Sequence, residues 1–335
     1  MSARLPLAIE TGGLSLPETG SLSVLQPVAG FDLSPLPRNR LQVVQPFKPD
    51  FDHFQELGYD CLPSADTPCA AALVCLPRAK ALARSLIAEA ARRGAGLVIV
   101  DGAKTDGVDS ILKEIRKRVD IHGPLSKAHG KIFWFHPKPD TFADWQGTLQ
   151  AVNGFTTAPG VFSADGIDPA SQLLADALPK HLGKHVIDLG AGWGYLSARI
   201  LADRIIERVD LVEADARALD CARRNITDAR VVFHWADVTS WAPDTRADAV
   251  IMNPPFHTGR AANPSLGRAF VTAAARMLTP SGQLWMVANR HLPYERSLEE
   301  GFARVEEIGG DSRFKILHAI RPRAHAKPTP TRTRR

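Results

Sequence analysis

Two stretches of the 335-residue sequence bring together residue types that can do chemistry. In the first, residues 186–201 (VIDLGAGWGYLSARIL), an apolar run meets Gly190, Gly192 and Gly194 and passes directly into a helical pattern. Glycines in that place allow a tight turn and let backbone N–H groups approach a ligand without Cβ obstruction. Glu213 closes the next apolar run, 25 residues after Asp188, where a carboxylate can accept from both hydroxyls of a ribose. A nucleoside-bearing ligand is the expectation. In the second stretch, Asn253-Pro254-Pro255-Phe256 ends the apolar run 249–253. Two prolines fix φ, remove two N–H donors and leave carbonyls directed outward. The Asn253 amide oxygen and the Pro254 carbonyl can then accept both hydrogens of a planar exocyclic amine. Such an amine is a poor nucleophile because its lone pair is delocalised. Two acceptors localise that pair and stabilise the positive charge that develops as the nitrogen attacks. The ammonium so formed loses its proton to water without a dedicated base. Phe256 can stack on the ring that carries the amine and hold the nitrogen in line.

A dinucleotide fingerprint wants Gly or Ala three residues after the second glycine, and Tyr195 stands there. The G-x-G-x-G spacing resembles instead the loop of class I S-adenosylmethionine (AdoMet) methyltransferases, with a nicotinamide dinucleotide as the competing ligand. The same resemblance puts Asp237, after the run 231–234, near the adenine edge; its plain alternative is a loop acid or helix cap. Segments 159–174 (PGVFSADGIDPASQLL), 188–194 (DLGAGWG), 253–259 (NPPFHTG), 287–295 (VANRHLPYE) and 312–320 (SRFKILHAI) resemble ribosomal RNA small subunit methyltransferase C. Members of that family transfer methyl from AdoMet to N2 of a guanine in 16S rRNA. The resemblance is dense over 159–321, looser over 41–135, and does not reach the first forty residues or the C-terminal stretch. It implies that Asp188, Gly190, Gly192 and Gly194 line the cofactor, with Glu213 on its ribose. It implies that Asn253, Pro254, Pro255 and Phe256 hold the guanine amine for catalysis. Phe162, Asp165 and His257 would flank the substrate, although each also reads as an ordinary structural residue.

These residues need a sheet edge to stand on. Strands at 185–189, 209–213, 231–234, 249–253 and 283–288 alternate with helical segments. That alternation implies an α/β, Rossmann-like, doubly wound parallel sheet with the candidate residues at the carboxyl ends of its strands. Asp168-Pro169 reads as an N-cap followed by proline at the first helical position, with Leu173, Leu174, Ala177 and Leu178 as the buried face. Residues 304–308, Gly309-Gly310 and 313–320 read as an antiparallel hairpin on the sheet edge. Upstream, 71–76, 97–100 and 131–135 read as strands. Ala79, Leu82, Ala83, Leu86, Ile87, Ala90 and Ala91 form one helical stripe, and Ile111, Leu112, Ile115 and Val119 another. A smaller α/β domain is therefore expected over 41–150, ahead of a catalytic domain over 151–321. The family resemblance makes the smaller domain a degenerate duplicate, and 98–107 (VIVDGAKTDG) carries no G-x-G-x-G. Residues 1–40, with five prolines and no sustained period, read as an irregular extension.

Composition narrows the partners. With 44% hydrophobic and 23% charged residues the chain reads as soluble and globular, and its length suits two domains with their own cores. No run of about 18 apolar residues exists, so no transmembrane helix is expected. No signal peptide is expected either, and the reading is a cytoplasmic protein without a membrane partner. Cys61, Cys69, Cys75 and Cys221 fit no zinc spacing and read as reduced thiols; no metal is expected. The net charge of +5 resides in the C-terminal stretch from Arg321, which holds six Lys/Arg and no acid; elsewhere 35 basic residues face 36 acidic ones. The tail 322–335 is expected to be disordered and to attract phosphates without specificity. The expected partner is 16S rRNA or the small ribosomal subunit, met by a monomer. Two other functions stay open at this point. One is the same chemistry on adenine N6 of DNA or a protein glutamine amide, since each presents a planar NH2. The other is a catalytically silent rRNA-binding assembly factor.

Overall fold

The computed structural model describes residues 4–323 except 139, 203, 204, 256, 259, 260 and 263, so Phe256 and the basic tail from 324 onward lie outside the described residues. The chain divides into two compact units. The first holds the residues up to Ala151 together with Thr157–Ala164 and Asp215–Arg217; the second holds Val152–Thr156, Asp165–Ala214 and the residues from Ala218 onward.

The expectation of an irregular extension over residues 1–40 is corrected. They form α1 (Arg4–Glu10) and β1 (Leu22–Leu25), and β1 is an interior strand of the first sheet, between β2 (Leu41–Val44) and β4 (Ala71–Cys75). The strand is four residues long and buried at all four, so it shows no alternation for a sequence pattern to report. Its partners are β2 (Leu41–Val44), β3 (Asp60–Leu62), β4 (Ala71–Cys75), β5 (Leu97–Ala103), β6 (His122–Lys127) and β7 (Gly130–Phe135), in the order β3-β2-β1-β4-β5-β7-β6. α1 and α2 (Lys48–Glu56) bury Leu5, Ala8 and Phe54 on one face of this sheet, against Leu22, Val24 and Val43. α3 (Lys80–Arg92) and α4 (Val108–Ile115) bury Leu82, Leu86, Ile87, Ile111 and Ile115 on the other, against Leu25, Val44 and Val74. Helices on both faces are what let the central strands be apolar throughout.

Next in sequence, β8 (Gln150–Val152) and β9 (Phe155–Thr157) pair as a two-stranded ribbon. The second unit then runs α5 (Pro169–Ala177), β10 (His185–Leu189), α6 (Tyr195–Ile200), β11 (Arg208–Glu213), α7 (Ala216–Asn225), β12 (Val231–Trp235) and β13 (Ala247–Met252). After the short pair β14 (His257–Thr258) and β15 (Ala261–Ala262) come α8 (Pro264–Met277), β16 (Leu278–Asn289), α9 (Glu295–Gly301), β17 (Phe302–Gly310) and β18 (Phe314–Pro322). The sheet order is β12-β11-β10-β13-β16-β18-β17. Its first five strands are parallel; β18 is antiparallel to both β16 and β17, the hairpin read from 304–320. β13 stops at Met252, which leaves Asn253 as the first residue beyond the strand.

Numbered from its own first strand, each sheet has the order 3-2-1-4-5-7-6. The counterpart of the glycine loop is therefore the segment after β1, not residues 98–107. Register makes the match residue by residue: Leu25 pairs with Val44 and Val74 as Leu189 pairs with Val212 and Met252. Gln45 thus stands where the second unit has Glu213, and Cys75 where it has Asn253. Residues 26–40 contain a three-residue turn of 3-10 helix, Arg38–Arg40, in place of an α6. Gln45 is bonded at both ends of its amide, donating to the Pro27 carbonyl at 2.7 Å and accepting from the Phe47 N–H at 2.9 Å. A cavity of about 400 Å³ remains at this edge, and on its wall Arg4 and Asp101 form a buried two-bond ion pair at 2.5 and 3.0 Å. No helix among the described residues is long and apolar enough to cross a membrane.

Candidate active site

The residues singled out in the second unit meet at the carboxyl edge of β10, β11 and β13, three neighbouring strands. Gly190, Gly192 and Gly194 all have positive φ, at 71°, 58° and 90°. At Gly194, which opens α6, an added Cβ would fall 2.8 Å from Ile226 Cδ1, whereas at Gly192 it would enter open space beside the loop. Only glycine leaves that space clear while keeping the left-handed turn. The Gly190 and Ala191 N–H groups donate to the Val212 carbonyl at 2.9 and 3.1 Å. The Gly192 N–H donates to Glu213 Oε2 at 2.8 Å, and Asn225 Nδ2 to the Trp193 carbonyl at 2.8 Å, so the loop is held from two sides. Asn225 had no distinguishing signal in the sequence.

Asp188 is fully buried near the end of β10. Its Oδ2 accepts from the Ser197 N–H at 3.0 Å and the Ser197 hydroxyl at 2.7 Å, while Oδ1 has no partner among the described residues. Burial pushes its carboxyl up to about 7; the Ser197 bonds oppose that rise and the charge of Glu213 adds to it.

Asn253 stands beside this edge, because Met252 before it pairs with Leu189. Its amide nitrogen donates to Asp168 Oδ2 and to Ser171 Oγ, both at 2.9 Å. Its amide oxygen is buried and has no partner among the described residues. Asp168 caps α5 as its sequence implies, with Oδ2 accepting from the Ser171 N–H at 2.8 Å. The buried face of α5 differs from the one expected. Ala170, Ser171 and Leu174 are buried, while Leu173, Ala177 and Leu178 are partly exposed. The face is turned because Ser171 reaches Asn253, a pairing that an apolar-stripe reading does not see. Pro254 is buried and Pro255 exposed. His257 lies in β14, paired with Ala262 of β15.

Asp237 follows β12 at the same edge, where the Ala236 N–H donates to the Glu213 carbonyl. Its Oδ1 accepts from the Thr239 N–H at 2.8 Å, and its carbonyl accepts from Ser240 and Trp241. Phe162 and Asp165 fall in different units: Phe162 clusters with the first and is 60% exposed, and Asp165 is an exposed residue of the second. The acids that the sequence reading assigned to one site thus stand in distinct settings, one fully buried and others at the open edge.

A family model for the Methyltransferase small domain matches residues 153–318. Ribosomal RNA small subunit methyltransferase C of Hahella chejuensis is 32% identical over 257 residues, covering 71% of this chain and 72% of that protein. Its counterpart in Cronobacter sakazakii is 33% identical over 239 residues, 67% of each. The Erwinia tasmaniensis protein is 31% identical over 241 residues, 70% of this chain and 66% of its own length, so the chain spans about two thirds of these relatives. The solved structure of the T. thermophilus 16S rRNA N2 methyltransferase in complex with AdoMet and guanosine superposes with a TM-score of 0.76. That match covers 92% of this chain and 90% of that one at 24% identity, and shows a common fold. By the extent and level of these matches, the chain belongs to the ribosomal RNA small subunit methyltransferase C family.

Proposed function

We propose that this chain methylates the exocyclic N2 amine of a guanine in 16S rRNA, using AdoMet. The observation that carries the reading is the Asn253 amide, whose nitrogen is bonded twice and whose buried oxygen has no partner among the described residues, one strand away from an open glycine turn. The open space at Gly192, with a carboxylate at the end of β11, fits a nucleoside cofactor. When bound, AdoMet supplies an electrophilic methyl group. Gly190, Gly192 and Gly194 line its place, Asp188 lies buried behind them and braces the loop-to-helix turn through Ser197, Glu213 accepts from its ribose hydroxyls and Asp237 lies toward its base. Asn253 Oδ1 and the Pro254 carbonyl accept the two hydrogens of the guanine amine and free its lone pair for attack. Acceptance strengthens as the nitrogen becomes positive, so these bonds favour the transition state over the ground state. Pro255 holds the turn rigid, Phe256 stacks on the base, and Phe162, Asp165 and His257 flank the substrate. The proton of the product ammonium passes to water.

The partner is 16S rRNA, free or within the small subunit, which places the reaction in the cytoplasm. The test offers labelled AdoMet to naked 16S rRNA, small subunits, DNA and protein, followed by analysis of the product nucleoside. N2-methylguanosine in 16S rRNA is expected. Label on adenine N6 or on a glutamine amide would replace the substrate, and AdoMet binding without transfer to any acceptor would make the chain a silent binder.

A further inference from the structure

We infer that Asp168 and Ser171 are positioning residues that fix which end of the Asn253 amide faces the substrate amine, and that the Asp168 carboxylate strengthens that amide oxygen as an acceptor. The inference rests on the reading of Asn253 as an acceptor for the amine.

An asparagine amide has two ends of nearly equal size, one acceptor and one donor, and only the oxygen end can serve an attacking NH2 group. The neighbours decide which end points where. Asp168 Oδ2 lies 2.9 Å from the amide nitrogen, and an ionised carboxylate is acceptor-only. Ser171 Oγ lies 2.9 Å from the same nitrogen. Together they take both hydrogens of the NH2 end. Turned over, the amide would set its oxygen 2.9 Å from the carboxylate, acceptor against acceptor. The orientation therefore follows from the network itself.

Neither contact is required by the helix. The capping bond runs from the Ser171 N–H to Asp168, and it needs neither the Ser171 hydroxyl nor Asn253. Ser171 is 8% exposed, so its hydroxyl is a buried polar group with Asn253 as its partner. A buried acceptor without a partner among the described residues, here Asn253 Oδ1, calls for a specific reason in a folded chain. A charge-assisted bond at the nitrogen end draws the amide hydrogens toward Asp168 and leaves more electron density on the oxygen. The carboxylate thus acts on the amine at one remove, without touching it.

The test uses the full chain with AdoMet and its RNA substrate under single-turnover conditions. Ser171→Ala keeps the capping N–H, and Asp168→Asn keeps an acceptor oxygen while removing the charge. Each is measured alone and combined with Asn253→Ala. Each alone should slow methyl transfer by roughly 10- to 100-fold, the scale of a misplaced reacting group, with AdoMet and RNA dissociation constants unchanged and the thermal unfolding transition retained. In the Asn253→Ala background neither should slow it further, because residues acting through one another are not additive. Normal rates in Ser171→Ala and Asp168→Asn, alongside a slow Asn253→Ala, overturn this inference alone. Equal losses with and without Asn253 also overturn it, since the residues would then act by another route. A normal rate in Asn253→Ala overturns the acceptor reading itself and this inference with it.

Discussion

Truncating Asn253 to alanine removes one acceptor and, with it, both donors that serve Asp168 and Ser171 from the amide end. In the ground state a neutral hydrogen bond to the amine is worth about 0.5–1.5 kcal/mol net. Against the developing positive charge the loss is expected to be about 2.7–4 kcal/mol, by analogy with removal of one oxyanion-site donor, which is roughly 100- to 1,000-fold in rate. The folded state is affected less. Asp168 keeps its bond from the Ser171 N–H, and the unpartnered Asn253 oxygen disappears together with its desolvation cost. The Ser171 hydroxyl left behind costs about 1–3 kcal/mol. Rapid-quench single-turnover methylation, with calorimetric AdoMet binding and RNA binding measured separately, reads these terms apart. The expected pattern is a large fall in the transfer rate with nearly unchanged AdoMet affinity. Asn253→Asp adds a sharper arm, because an oxygen would replace the nitrogen 2.9 Å from Asp168 Oδ2. Two carboxylates that close cannot both ionise, so one is held protonated and its pKa raised. The residual activity of Asn253→Asp should therefore increase as pH falls. A transfer rate within about threefold of normal in Asn253→Ala would refute the acceptor role of Asn253 and every role given to the Asn-Pro-Pro-Phe segment.

Glu213→Ala should weaken AdoMet binding by about 1.5–3 kcal/mol through loss of charge-assisted bonds to the ribose; unchanged calorimetric affinity in a folded chain removes Glu213 from the site. The Asp188 carboxyl, raised by burial from 3.8 to about 7, keeps a proton in the folded chain that the unfolded chain releases. Its contribution to stability is thus full below the unfolded value and lost as pH rises through about 7, on the order of 4 kcal/mol in all. Asp188→Asn should abolish that part of the decline in unfolding free energy between about pH 4 and 7, and an unaltered pH dependence in denaturant titrations would count against the buried-carboxyl assignment. The first unit has Gln45 and Cys75 where the second has Glu213 and Asn253, so calorimetry should find one AdoMet per chain; a stoichiometry of two would show the first sheet to be a working site.

Much of the second unit was legible because its information is local. The glycines, the apolar runs on either side and the two prolines act through backbone geometry within a few residues, and the period of 2 or 3.6 survives in the strands and helices around them. The first unit was legible only in part, at β4, α3, β5, α4 and β7, while β1, β2, β3 and β6 were not read. β1 is buried at every position, and the buried residues around it, Leu5 with Ala8, Leu14, and Leu33 with Leu36, come in pairs at most, too few to set a period. An apolar strand of four residues between prolines and glycines looks the same whether it is a loop or the interior of a sheet. The duplicated strand order was hidden for the same reason, since it depends on recognising β1 as the first strand.

What the sequence by itself determined is which groups are present and which stand at the end of a strand: Glu213 after one apolar run, Asn253 after another, and a glycine turn that only positive φ can satisfy. Which of them meet was decided by the tertiary structure. Asp168 and Asn253 are 85 residues apart, and they touch because sheet order sets β13 beside β10 while α5 packs Ser171 and Leu174 inward rather than Leu173 and Ala177. The unequal settings of the acids arise in the same way. Asp188 and Glu213 read alike in the sequence, yet one is closed off from solvent beneath the glycine loop and the other remains at the open edge with the Gly192 N–H. Burial and hydrogen-bond partners belong to the packed chain, so neither the pKa of Asp188 nor the orientation of the Asn253 amide is a property of any short stretch of residues.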